Sequence, residues 1–148
     1  MNVKPACFLN AHSENSVQHS EKKLNNTVPT VRLHIWLEAA EGVFFGMGRE
    51  FLLQGIEEYG SLKKAAEAMG MSYRAAWGKI KSTEKILNIS LIEKRGGNRS
   101  GYQVTPEGRK LMEKFDFWFN CVESEAIKLA EEIFPFEVKN FWERNNTF

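Results

Sequence analysis

The chain has 148 residues, 43% of them hydrophobic and 26% charged, which is ordinary for a soluble globular protein and long enough for one domain with its own core. The formal net charge of +1 hides an uneven distribution, because residues 48–110 carry 12 basic and 7 acidic side chains whereas residues 111–148 carry 4 and 8. The middle of the chain is therefore suited to a polyanionic partner, and the last part is not. No apolar run approaches the length of a membrane span and no signal peptide is evident, which predicts a cytoplasmic protein with no membrane partner.

The two cysteines, Cys7 and Cys121, lie far apart, and no Cys/His pair has the spacing of metal ligands. We therefore expect no disulfide framework, no metal site and no cofactor. Cys121 falls within an apolar helical pattern, which predicts a buried thiol.

The N-terminal part is predicted to contain a disordered arm followed by a β-hairpin. Residues 1–30 are polar and lack periodicity, as in disordered segments. Residues 31–38 alternate between apolar and polar side chains, which predicts a half-buried strand. A turn over 39–42 allows residues 43–45 to return as the second strand.

Three helices are predicted next, over residues 48–59, 62–69 and 72–87. The last two are joined by a glycine turn and the third is basic, which is the layout of a helix-turn-helix. Glycines end the first two helices, and serine hydroxyls cap the second and third. These boundary residues are Gly60, Ser61, Gly70 and Ser72.

A wing is predicted directly after the third helix. Residues 91–95 read as a short strand, 96–101 as a glycine-rich basic loop, and 102–104 as the returning strand. Residues 31–104 are thus interpreted as a winged helix-turn-helix with an N-terminal β-hairpin, in a fold that is mainly α with small β.

A long helix is predicted over residues 105–134, because Thr105 can cap it and Pro106 suits its first position. Its apolar residues recur at steps of four, three and four, the spacing of a coiled-coil seam. A tail of residues 135–148 follows. The predicted dimer interface consists of Leu111, Phe115, Trp118, Val122, Leu129 and Ile133.

The third helix carries the predicted reading surface. A major groove about 12 Å wide admits one helix whose N-terminal residues reach base edges. We expect Arg74 to pair with a guanine, and Ser72 and Tyr73 to bond base or phosphate. Lys81, two turns further on, is expected to meet phosphate. Trp77 lies either on the DNA or at the edge of the core.

Two further features support a DNA surface. Gly78 costs about 1 kcal/mol relative to Ala inside a helix, which a close approach of the backbone to DNA or to another helix would explain. The wing, residues 94–101, is basic and flexible enough to follow a phosphate backbone or enter a minor groove. The predicted DNA contacts are Ser61, Lys63, Ser72, Tyr73, Arg74, Trp77, Lys81, Arg95, Asn98 and Arg99.

Over about residues 31–134 the chain resembles the N-terminal DNA-binding domain of the ModE family, the molybdate-responsive repressors. The resemblance is carried by GSLKKAAEAMGMSYRAAW at 60–77, by LIE at 91–93 with two glycines after it, and by VTPEGR at 104–109. The opening RLHIWLE at 32–38 is similar to the start of short, single-domain members. The helix pattern is also similar to the LysR-type winged helix, a more distant relation.

The resemblance implies a homodimeric, DNA-binding transcription regulator, dimerised partly through the helix after the wing. Full-length ModE proteins carry C-terminal oxyanion-binding domains, whereas only residues 135–148 follow the long helix here. We therefore do not expect this chain to bind molybdate. The wing also departs from the family's longer glycine run, with Asn98 and Arg99 in its place.

Two other functions are weighed against DNA binding. A winged helix can serve as a protein-interaction module without specific DNA binding, and a net charge near neutrality suits that alternative. An enzyme is not expected, because no catalytic set, carboxylate pair or phosphate-binding loop has recognisable spacing.

Overall fold

The described residues, 28–96 and 101–140 of the computed structural model, form two antiparallel hairpins and four helices. This confirms the predicted class, mainly α with small β, and the winged helix-turn-helix arrangement. The elements in chain order are β1 Trp36–Ala39, β2 Gly42–Gly46, α1 Met47–Tyr59, α2 Leu62–Ala68, α3 Tyr73–Leu87, β3 Ile92–Lys94, β4 Tyr102–Val104 and α4 Pro106–Ile133.

The N-terminal hairpin pairs β1 with β2, and a bulge separates Leu37 from Glu38. The predicted strand was too long, because residues 31–35 have no neighbouring strand to complete a ladder. Their exposure still alternates as predicted. Of the predicted arm, residues 1–27 lie outside the described part, and the chain just beyond them is held near the tail, where the Val31 amide donates to the Lys139 carbonyl (2.8 Å).

The helix boundaries follow from local capping, as predicted. Gly60 ends α1 in the left-handed conformation (φ 63°), which favours glycine. The side chains of Ser61, Ser72 and Thr105 each accept a hydrogen bond from a backbone amide in the first turn of α2, α3 and α4, respectively.

The hydrophobic core lies where α1, α2, α3 and β2 meet the first half of α4. Phe45 of β2 and Phe115 of α4 pack edge to face, with ring centroids 5.2 Å apart. This contact joins the hairpin to the long helix. The largest fully buried apolar side chains are Phe45, Leu52, Leu53, Ile56, Leu62, Ile80, Leu91 and Val104.

Helix α4 has two neighbouring apolar faces, and only one is covered by its own domain. The covered face comprises Met112, Phe115, Phe119 and the buried Glu123. Phe115, predicted as a seam residue, therefore lies on the domain face and is only 3% exposed. The prediction that Cys121 is buried was wrong, because it projects from the side of α4 turned away from the domain and is exposed.

The wing is docked tightly on the end of α1. The Tyr102 amide donates to the Gly60 carbonyl (3.1 Å), and a side chain at Gly101 would collide with that carbonyl. A Cβ on Gly60 would lie 2.5 Å from Nη1 of Arg95. Glycine at position 101 therefore permits the close approach of the two backbones, whereas Gly60 makes room for the end of the Arg95 side chain.

A carboxylate is buried at the start of α1. Glu50 is 2% exposed and lies in the first turn of the helix. Burial, and secondarily the negative charge of Asp116, raise the pKa of Glu50 from 4.5 to about 7. The folded chain therefore favours the protonated form of this side chain.

We predict that Glu50 makes folding stability fall as pH rises. Its contribution is fully present below the unfolded pKa and is lost as pH rises through about 7. Between about pH 5 and pH 8 the loss should be on the order of 2 kcal/mol. Glu50→Gln should remove this dependence, as measured by urea unfolding at both pH values.

The exposed Glu58 of the same helix supplies the matched control. Glu58→Gln should leave the pH dependence as it is in the wild type. Equal pH dependence in the wild type and in Glu50→Gln would contradict the prediction.

Candidate nucleic-acid interface

The two serines predicted as DNA contacts are first of all helix caps. Ser61 Oγ accepts from the Lys64 amide (3.3 Å), and Ser72 Oγ accepts from the Ala75 amide (3.2 Å). A hydroxyl that accepts a bond keeps its own hydrogen for donation. Both groups can therefore cap a helix and still donate to a phosphate oxygen.

The first turn of α3 presents an unengaged guanidinium. Arg74 is exposed, and among the described residues its side chain has no hydrogen-bond, ionic or ring partner. Gly78 lies one turn further on the same side, and a Cβ added there would meet nothing within 4 Å. This side of α3, from Arg74 to Gly78, is therefore uncovered by the described residues, and it carries the positive charge of Arg74.

Beside this side of α3 lies an aromatic stripe, formed by Tyr73, Trp77 and Tyr102. The rings of Tyr73 and Trp77 stack with centroids 6.2 Å apart, and the ring centroid of Tyr102 in β4 lies 5.8 Å from that of Trp77. Trp77 is half-buried against the core. Of the two positions considered for Trp77, the structure of the single chain has the one at the edge of the core.

Tyr102 also acts on Tyr73 directly. The pKa of Tyr73 is raised by burial first, and then by the charge and the hydrogen bond of the Tyr102 hydroxyl. Tyr73 thus keeps its phenolic proton well beyond neutral pH, and its hydroxyl remains a possible donor. The wing and α3 meet through these two side chains.

Lys81 is less free than the sequence suggested. Its ammonium group forms an ion pair with Glu84 (2.6 Å) and lies 4.7 Å from the centre of the Trp77 ring. A phosphate would have to compete with, or share, these two interactions. Lys81 closes the stripe that begins at Tyr73.

The remaining predicted contacts differ in their surroundings. Lys63 is exposed and forms a loose pair with Glu67 (4.0 Å). Arg95 is exposed, and its guanidinium lies against Gly60 at the carboxyl end of α1, where a positive charge is favourable. Asn98 and Arg99 lie outside the described residues.

Two functional candidates were missed by the sequence analysis. Tyr102 was assigned only to a strand, yet it forms the wing side of the aromatic stripe. The Glu84 carboxylate accepts hydrogen bonds from the amides of Leu91 (2.8 Å) and Ile92 (3.3 Å), where the wing begins. Neither role has a local sequence signal, because each depends on a contact between different elements.

Other kinds of site find little support in the part of the chain that is described. Residues 28–96 and 101–140 contain no cluster of His, Cys, Asp and Glu side chains able to hold a metal ion. None of the described helices, including the 28-residue α4, combines the length and apolar character needed to cross a membrane.

Part of the chain is similar to a family of bacterial regulators. The model of the family "bacterial regulatory helix-turn-helix protein, lysR family" matches residues 52–109, from α1 to the first turn of α4. The solved complex of the CbnR DNA-binding domain with DNA aligns with a TM-score of 0.47 at 15% identity, covering 57% of this chain and 93% of that chain.

Relatives by sequence carry molybdenum-related names. The molybdenum-pterin-binding protein MopB of Rhodobacter capsulatus is 32% identical over 90 residues, which cover 60% of this chain and 32% of that protein. The transcriptional regulator ModE of Haemophilus influenzae is 26% identical over 103 residues, which cover 68% of this chain and 40% of that protein. This chain spans 23% to 40% of the length of the relatives that it matches. The resemblance predicted from the residue strings is confirmed: residues 52–109 are similar to the helix-turn-helix of LysR-type regulators, and ModE-type proteins are among the relatives of this chain.

Proposed function

We propose that this chain is a transcription regulator that binds double-stranded DNA, with α3 in the major groove and the wing on the phosphate backbone or in the minor groove. The observation that carries the proposal is the unengaged guanidinium of Arg74 in the first turn of α3. A bidentate Arg–guanine pair is the commonest specific contact in the major groove. The family match over residues 52–109 agrees with this function.

The charge distribution supports the same surface. Residues 48–110 carry an excess of five positive charges (12 basic minus 7 acidic), whereas residues 111–148 carry an excess of four negative charges. Lys63, Arg74 and Arg95 are all exposed on elements of the helix-turn-helix or wing. Neutralisation of phosphates by such groups releases counterions, so binding should weaken as salt rises.

We further propose that the regulator is a homodimer formed along the uncovered face of α4. Leu129 and Ile133 are 47% and 69% exposed, and Trp118 is also exposed on this face. Val122 and Leu111 lie on the same face and are half-buried. A stripe of this kind at coiled-coil spacing matches a second copy of itself.

The first test concerns Arg74. DNA duplexes selected by the protein from a random pool should bind more tightly than scrambled duplexes, as measured by fluorescence anisotropy. Arg74→Ala should weaken binding to the selected duplex by roughly 10- to 100-fold, and should affect the scrambled duplex much less. The reason is that a base contact adds energy only on the correct sequence.

Two further substitutions in α3 serve as comparisons for Arg74→Ala. Lys81→Ala should weaken binding to both duplexes alike and reduce the salt dependence, because a phosphate contact does not read sequence. Lys85→Ala, in the last turn of α3, should change little. Absence of any preference for selected over scrambled DNA would sink the proposal.

The second test concerns Gly78. Gly78→Ala should stabilise the chain by up to about 1 kcal/mol, because Ala favours the helix and its Cβ would meet no described residue within 4 Å. The same methyl group should weaken DNA binding, because it would stand between the helix backbone and the DNA. Thermal unfolding and anisotropy on one preparation measure both effects. If the variant is more stable and binds DNA as the wild type does, the backbone of α3 does not approach the groove here.

The third test concerns the dimer. Replacing both Leu129 and Ile133 by Glu should convert a dimer into a monomer in sedimentation velocity, because it places charges on facing apolar positions. Both side chains are exposed in the single chain, so the fold and its circular dichroism should be unchanged. Lys128→Glu, an exposed change on the same helix, should leave the dimer intact. A double variant that still sediments as a dimer would show that the interface lies elsewhere.

A further inference from the structure

A cavity of about 660 Å³ lies behind the reading helix, bordered by residues 32–36, the amino end of α1, α3 and α4. Its walls are largely apolar, with Leu33, Ile35, Phe51 and Phe119 among them. Arg49 and Lys79 bring positive charge to the same space. Cavities of roughly 300–1,000 Å³ with apolar walls and a few convergent polar groups are typical of small-molecule sites.

The Arg49 guanidinium is bonded to two backbone carbonyls and, within the described residues, has no acidic partner. Its Nη2 donates to the Val43 carbonyl (2.7 Å) and its Nε to the Lys79 carbonyl (3.3 Å). No carboxylate among the described residues pairs with it, and burial alone lowers its pKa. A guanidinium has five N–H donors, so three remain available.

The electrostatics favour an anion in this cavity. A partly buried cation that has only neutral carbonyl partners is stabilised when a negative group joins it. Lys79, exposed on the rim, adds a second positive charge. No side chain of the described residues caps the amino end of α1, which borders the same cavity and carries the positive end of the helix dipole.

The volume of the cavity and its apolar walls indicate what kind of group the anion is attached to. An inorganic oxyanion would reach the cationic groups but leave the apolar walls uncovered. We propose that the cavity binds a small organic anion, a carboxylate or sulfonate with an apolar body, whose acid group meets Arg49 and Lys79. Its apolar part then packs among Leu33, Ile35 and Phe119.

Such a ligand would affect α3, the helix proposed to enter the major groove, from the side opposite the DNA. Arg49 bonds the Lys79 carbonyl within α3, and the Thr83 hydroxyl of α3 donates to the Phe44 carbonyl of β2. A ligand that draws the guanidinium toward the cavity thereby changes how α3 is held against the hairpin. This regulatory step rests on the proposed DNA-binding function, whereas the binding step does not.

The binding step is tested on the full chain with a matched pair of probes, naphthoate and its neutral analogue naphthamide. Isothermal titration should show saturable binding of one naphthoate per chain, at least about tenfold tighter than naphthamide, because a charge-assisted bond replaces a neutral one. Arg49→Gln should remove this preference, and Lys79→Gln should weaken naphthoate several-fold. Lys110→Gln, an exposed change on α4 outside the cavity, should have no effect.

Because Arg49 also supports two carbonyl groups, its variant can fail to fold. Ile35→Trp then decides, since it fills part of the cavity from the half-buried side of residues 31–35 while keeping the Arg49 side chain, and it should abolish naphthoate binding. Equal affinity for both probes, or naphthoate binding that survives Ile35→Trp, would overturn the proposal. The titrations contain no DNA, so their outcome is independent of whether the chain binds DNA.

Discussion

The Glu84 carboxylate accepts hydrogen bonds from the amides of Leu91 and Ile92 and forms an ion pair with Lys81. It therefore fixes where the first strand of the wing leaves α3. The side chain is largely buried, so these charge-assisted bonds are shielded from water and are stronger than their surface equivalents. A wing free to swing could not present its charges at a constant distance from the reading helix. One carboxylate thus sets the spacing on which the proposed two-part DNA surface depends.

On that surface, fixed and free side chains lie side by side. The Trp77 ring contacts those of Tyr73 and Tyr102, and Lys81 lies over it, so the side chain of Trp77 has little conformational entropy left to lose on binding. Arg74 has no partner among the described residues and can adapt to a base edge. The aromatic contacts would hold α3 in position in the major groove of DNA. The Arg74 guanidinium could then adjust to form the specific contact with a base. The position of Trp77 suggests that its main task is to brace α3 against the wing.

Features determined by neighbouring residues could be predicted from the sequence, and features determined by distant ones could not. Gly60, Ser72 and Thr105 mark helix ends through bonds within one turn, and the structure has those ends as predicted. Residues 31–35 alternate in exposure like a strand, yet within the described part of the chain they belong to no strand ladder, and strand pairing is not a local property. Phe115 and Cys121 lie in one helical pattern, yet only contacts with β2 and α1 decide which side is covered. In the candidate site, the exposure of Arg74 followed from its position in the helical pattern of α3. The contacts of Tyr102 and Glu84 join different elements, so no local sequence pattern indicated them.

The N-terminal hairpin lies outside the family match, which begins only at residue 52. It is nevertheless bound to the rear of α3 by the Thr83 hydroxyl on the Phe44 carbonyl, and to α4 by the Phe45–Phe115 ring contact. The hairpin is thus connected both to the helix that would read DNA and to the helix that would join two chains. Any change in how the hairpin lies, including one made by a ligand at Arg49, would alter the angle between those helices. In a dimer that angle sets the distance between the two reading helices, and that distance must match the spacing of DNA half-sites.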